Sequence, residues 1–170
     1  MSDAAVLSAK AAIREVLENY CRAMDRIDVP LSRATWHAGG RAYYEGIFDG
    51  TGEEFCDWEP SFHRGFLSTS HEIRNCLVVV QADRAASETY VEFNLLRAEG
   101  ERHILVTGHG RYLDKWSQRD GGWAIDDRHF VLSFRYEREV TARLGPARRD
   151  ESDASYGVLS SLGQGERPQA

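Results

Sequence analysis

The sequence has only three cysteines, Cys21, Cys56 and Cys76, widely spaced and without a Cys-x-x-Cys pair. An odd, scattered set indicates neither a disulfide framework nor a zinc cluster. No stretch approaches the ~20 consecutive apolar residues needed to span a bilayer, and Met1-Ser2-Asp3-Ala4 lacks the basic-then-apolar order of a secretion signal. The expectation is a cytoplasmic protein without a membrane partner. Basic residues are in deficit, 21 against 27 acidic ones, for a formal charge of −6. That balance argues against nucleic acid, whose ligands present clustered Lys and Arg. Also missing are a Gly-x-x-x-x-Gly-Lys phosphate loop, a Gly-x-Gly-x-x-Gly strand end and a Gly-x-Ser-x-Gly elbow. His71-Glu72-Ile73-Arg74-Asn75 starts like a zinc-protease helix but carries Asn where the second His ligand belongs, so no metal site is expected.

What is present suits one compact domain: 170 residues, 42% of them apolar, enough to bury a core. From Ser8 to Ile27, Ala12, Ile13, Val16, Leu17, Tyr20, Cys21 and Met24 recur at helical spacing. Asp28-Val29-Pro30 ends this helix, and Leu31 to Trp36 suits a short helical turn. Arg41 to Phe48 reads as a strand closed by Asp49-Gly50, and Gly52 to Leu67 as a helical piece carrying Phe55, Trp58, Phe62 and Phe66, interrupted by Pro60. Thereafter His71–Ala82, Ala86–Ala98, Arg102–Gln118 and Trp123–Arg138 alternate as strands with short turns between them, an antiparallel meander. Helices first and strands after predict an α+β domain over residues 1–144, with a curved antiparallel sheet and the long N-terminal helix across its concave face. Residues 145–170, rich in Gly, Ser, Arg, Asp and Gln, read as a flexible tail. In that tail Tyr156, Val158, Leu159 and Leu162 could dock as a lid or a subunit contact.

Asp25 and His71 form the informative pair. Asp25 ends the first helix among Cys21, Met24 and Ile27, where an unpaired carboxylate would be costly to desolvate. His71 begins the first meander strand, within reach of a helix end packed on the sheet. A carboxylate there would fix the imidazole tautomer and raise its basicity, giving a proton-abstracting dyad. The same residues also fit a helix cap in water and a strand-start histidine. Tyr20, five residues earlier and roughly 140° around the helix, could flank the same cavity and donate to a leaving group, or be a core aromatic. His109 and His129 line the cavity if their strand parity faces inward. Glu45 and Tyr44 on the early strand, and Trp58 on the aromatic helix, complete the candidate substrate-binding set. Seven Tyr, seven Phe and four Trp suit a flat or aromatic small-molecule ligand, and equally an ordinary core.

The segments Val16 to Asp28, Phe48-Asp49-Gly50 with Glu53-Glu54-Phe55, Ser70-His71 with Asn75, Gly110 to Asp114, and Gly122-Trp123 with Ile125 together resemble the SnoaL-like branch of the nuclear transport factor 2-like superfamily, from about Ala5 to Tyr136. The resemblance implies a cone around a deep pocket and a homo-oligomer, trimer or dimer. It also implies that Asp25 and His71 fall where scytalone dehydratase, hexachlorocyclohexane dehydrochlorinase and bile-acid 7α-dehydratase carry an Asp-His dyad that works without a cofactor. Tyr20 matches the tyrosine of the bile-acid enzyme; His109 and His129 have no secure counterpart. Two departures, His37-Ala38-Gly39-Gly40 and Tyr43-Tyr44-Glu45, leave specificity open. The function so implied is a lyase that removes a carbon-bound proton from a hydrophobic, aromatic or polycyclic molecule. The alternatives are a ketosteroid-type isomerase and a non-catalytic small subunit of an aromatic-ring dioxygenase.

Overall fold

The computed structural model describes residues 1–161; Leu162, named above as a docking residue, lies outside them. Helix α1 (Asp3–Arg26) starts at Ser2, whose side chain accepts the Ala5 N–H, and ends where Ile27 turns left-handed at φ 53°. It buries Ala9, Ile13, Leu17, Tyr20, Cys21, Ala23 and Met24, a stripe at helical spacing that needs a sheet to cover it. Helix α2 (Val29–Ala34) follows with Asp28 as N-cap and Pro30 in its first turn. Helix α3 (Gly52–Arg64) opens with a reciprocal Thr51/Glu54 capping box and runs unbroken through Pro60, against the expected interruption. Pro60 removes one backbone bond near the end of a helix that buries Phe55, Cys56, Glu59 and His63, so tertiary packing outweighs a local cost of about 3 kcal/mol.

Six strands form one sheet in the order β2-β1-β6-β5-β4-β3. They are β1 (Trp36–Tyr44), β2 (Phe48–Thr51), β3 (Ser68–Gln81), β4 (Arg84–Glu99), β5 (Arg102–Arg119) and β6 (Gly122–Val140). The last four are the expected meander, closed by two-residue turns. At Asp120-Gly121 both residues have positive φ, the geometry that matches strand twist in a hairpin. The sheet is mixed rather than wholly antiparallel, because β1 lies parallel to β6. The single early strand expected over Arg41–Phe48 is in fact a β1–β2 hairpin that turns at Glu45-Gly46-Ile47. Bulges interrupt the register at Ile73/Cys76, His109/Gly110 and Lys115/Trp116. Such insertions bend long strands, and here they accompany strands of 14 to 19 residues that wrap around α1.

Of the segment read as a tail, residues 145–161 are described, and they carry helix α4 (Ala154–Ser160). Tyr156 donates to Asp28 Oδ2 at 2.7 Å, and Arg22 donates to Ser155 Oγ at 2.9 Å with its guanidinium 4.5 Å from the Tyr156 ring centre. Val158 and Leu159 are exposed. No helix among the described residues is long and apolar enough to cross a membrane.

Candidate active site

A cavity of about 240 Å³ opens between α1, α3 and the concave side of the sheet. Its wall is mainly aromatic: Phe55, Trp58, Phe62 and Phe66 from α3 and its exit, with Phe93, Tyr112 and Phe130 from the sheet. Two glycines make room for these rings. A Cβ on Gly108 would fall 2.1 Å from the Phe93 ring, and one on Gly110 would fall 2.5 Å from Phe130.

Asp25 and His71 meet beside this cavity. Strand β3 is the last strand of the sheet, so alternate backbone N–H groups along its free side have no strand partner. His71 N donates to Asp25 Oδ2 at 2.9 Å, while His71 Nδ1 lies 2.8 Å from Asp25 Oδ1. One carboxylate thus grips backbone and ring together, which sets the ring orientation and leaves Nε2 for the cavity that His71 lines. Both side chains are largely shielded, at 10% and 15% exposed.

The floor is built from Tyr20 and Tyr44, whose hydroxyl oxygens are 2.5 Å apart. Burial, with the neighbouring Tyr44 and Tyr112 phenols, holds Tyr20 well above the ordinary phenol range. Burial pushes Tyr44 up to about 12. Both therefore stay neutral donors. Beneath them Arg128 makes two parallel bonds to Asp114, at 2.7 and 2.8 Å, with both side chains wholly buried. Its guanidinium stacks at 4.1 Å from the Tyr20 ring centre and 4.0 Å from that of Tyr112.

Of the residues expected at the site, the cavity gathers His71, Tyr20, Tyr44 and Trp58, with Asp25 behind His71. Three others lie elsewhere. Glu45 is an exposed residue of the β1–β2 turn. His109 stacks on Phe134 at 4.6 Å, its Nδ1 3.7 Å from Glu92. It faces outward because the inward parity of β5 is the even one, carrying Val106, Gly108, Gly110, Tyr112 and Trp116. His129 is exposed and meets Tyr43 edge to face at 4.8 Å. It shares odd numbering with inward Trp123 and Ile125, but the register shift after Ile125 inserts one residue, so Arg128 and Phe130 take the inner face.

Sequence reasoning missed His63, which is buried, lines the cavity and sits ring to ring with His71 at 5.3 Å. A signal existed: His63 falls eight residues after Phe55 and four after Glu59, on the inward stripe of α3. Burial, followed by the charges of His71 and Arg149, pushes its imidazole down to about 2. Arg149 was also missed. It donates from Nε to the Asp25 carbonyl at 3.3 Å, from Nη1 to the His63 and Phe66 carbonyls at 2.9 Å each, and from Nη2 to Thr69 Oγ1 at 3.1 Å.

The fold and site define a class: a helix-filled curved sheet with an apolar cavity beside a carboxylate-bound histidine. The SnoaL-like domain profile matches residues 5–129, and the chain belongs to that family. Among solved structures, LinA superposes with a TM-score of 0.73 at 22% identity, covering 86% of this chain and 99% of its own. The hexachlorocyclohexane dehydrochlorinase LinA-type3 from Novosphingobium barchaimii gives 0.74 at 20%, covering 85% and 100%. A candidate scytalone dehydratase from Novosphingobium aromaticivorans gives 0.70 at 19%, covering 87% and 99%. At these identities the likeness is one of fold. The sequence matches no curated protein.

Proposed function

We propose that this protein is a cofactor-independent lyase in which His71, oriented by Asp25, removes a carbon-bound proton from a small hydrophobic ring compound and a neighbouring group departs. The observation that carries the reading is the double grip of Asp25 on the backbone N–H and Nδ1 of His71, with the second ring nitrogen left for an apolar cavity. General base catalysis at such a site contributes about 10²–10⁴ in rate, and exclusion of water strengthens every charge interaction within it. Tyr20 serves as a neutral donor toward the leaving group, sharing its hydroxyl with Tyr44. A volume of about 240 Å³ lies below the ~300 Å³ at which drug-sized pockets begin and favours a one- or two-ring body over a steroid. The dehydrochlorinase and dehydratase names among the structural neighbours support an elimination. A structural-partner role would leave the cavity and the Asp25–His71 pair without purpose.

The test is a panel of one- and two-ring ketones, β-hydroxyketones and halogenated cyclohexanes. Elimination and α-proton exchange in D₂O are followed by NMR for the wild type, Asp25→Asn and His71→Ala. The expected result is turnover of at least one compound, lowered by 10²-fold or more in both folded variants. Equal rates in either variant, or no wild-type turnover across the panel, would overturn the reading.

A further inference from the structure

His63 occupies a place in the cavity that the dyad does not use. It is 5% exposed, lines the cavity together with His71, and meets the His71 ring edge to face at 5.3 Å. Its Nδ1 is buried with no partner among the described residues, so Nε2 is the ring nitrogen that reaches the cavity. This arrangement decides where the proton sits. A buried N–H without an acceptor costs about 1–3 kcal/mol, and among backbone groups orphaned N–H donors are rarer than under-satisfied carbonyl acceptors, an asymmetry we extend to the ring. The lone pair therefore belongs on Nδ1 and the hydrogen on Nε2. A second proton is opposed by burial and by the nearby His71 and Arg149.

We infer that His63 is the neutral donor to the substrate's carbonyl, as Tyr20 is to its leaving group: His63 Nε2–H holds the carbonyl oxygen of a substrate whose α-carbon is presented to His71. The inference rests on the lyase reading and deepens it by naming the substrate class: a carbonyl compound with its leaving group on the β-carbon. His71 Nε2 takes the α-proton, the C–H pair becomes the enolate double bond, and the carbonyl π pair moves onto the oxygen. His63 keeps its proton and strengthens its hydrogen bond as that oxygen gains charge. The oxygen pair then returns, the α–β double bond forms, and the leaving group departs with its bonding electrons and takes up the proton held by His71. A neutral imidazole suits this task because it stabilises the oxygen without needing to be recharged between turnovers.

Two measurements on the whole protein test it, and neither depends on turnover. In ¹⁵N spectra at pH 7, with His63 assigned by its loss in His63→Phe, a neutral ring protonated at Nε2 is expected; an Nδ1–H ring or an imidazolium overturns the inference. The second is binding of 2-naphthol, whose oxygen sits where an enolate oxygen would, against oxygen-free naphthalene. His63→Phe should weaken 2-naphthol tenfold or more and leave naphthalene unchanged, and His63→Gln, which keeps a neutral N–H donor, should recover part of the loss. Equal binding of both probes to the wild type, or equal changes for both in the variant, overturns it. His71→Asn, which should still prefer 2-naphthol, separates failure of this inference from failure of the proton-abstraction reading.

Discussion

Glu59 and His63 stand one turn apart on α3, and both are shut inside the protein. Neither Glu59 oxygen nor His63 Nδ1 has a partner among the described residues. Burial pushes Glu59 up to about 8 against the pull of Arg64 and Arg149, and pushes His63 down to about 2. Near neutrality both are therefore mostly uncharged, and linkage turns this into a stability profile. Above the ordinary carboxyl value of 4.5 the unfolded chain loses a proton that native Glu59 keeps, so stability falls as pH rises, until about 8. Below the ordinary imidazole value of 6.5 the unfolded chain gains a proton that native His63 refuses, so stability falls as pH drops. Between the two values the effects cancel. The expected urea-denaturation profile is a plateau between pH 4.5 and 6.5 with a decline on either side. Glu59→Gln should remove the decline toward pH 8 and gain on the order of a few kcal/mol there; a wild-type profile rising from pH 6.5 to 8 would refute the assignment.

At the scale of elements, the sheet depends on where its strands lose register and where they lack side chains. Gly108 gives its side-chain space to Phe93, a cavity ring. Gly108→Ala should cost about 1–3 kcal/mol and push Phe93 into the cavity, weakening naphthalene binding as well as lowering the denaturation midpoint. Unchanged stability would mean that the ring has room to move aside. The same elements explain what the sequence disclosed. The stripe Ile13, Leu17, Tyr20, Met24 and the alternation of the meander are periodic signals, so α1 and four strands could be read directly, whereas the meeting of Asp25 with His71 stayed one of two readings of the residues and was favoured by the family resemblance. Bulges have no such signal. One extra residue after Ile125 turns His129 out and Arg128 in, and another between Leu132 and Phe134 changes the parity again, so Arg135 and Glu137 reach the cavity. The partnership of Arg128 with Asp114 was hidden for that reason. The parallel pairing of β1 with β6 joins segments over 80 residues apart, which local pattern does not encode.

At the scale of the whole molecule, two surfaces remain. The outer side of β6 exposes Phe134 and Tyr136, with the outward ring of His109 stacked on Phe134, an aromatic face suited to contact with a second copy of the chain. We propose that copies of the chain associate through this face: light scattering should show a trimer or dimer that Phe134→Glu dissociates, and a wild-type monomer would refute it. The second surface is the arm that follows β6. Arg149 binds backbone carbonyls at the end of α1 and along the exit from α3, as well as Thr69 just before His71, so a single guanidinium ties together the three segments that carry Asp25, His63 and His71. Satisfying carbonyls at helix ends is what such a group does well. Arg149→Ala should cost about 2 kcal/mol, since bonds from a charged donor contribute ~1.5–3 kcal/mol and this one is only half-buried. A chain ending at Leu144 should lose at least as much, because it also forfeits the Tyr156–Asp28 and Arg22–Ser155 bonds. Urea denaturation checks both. If neither change moves the midpoint, the arm is not docked in solution, and the dyad is held by α1 and β3 alone.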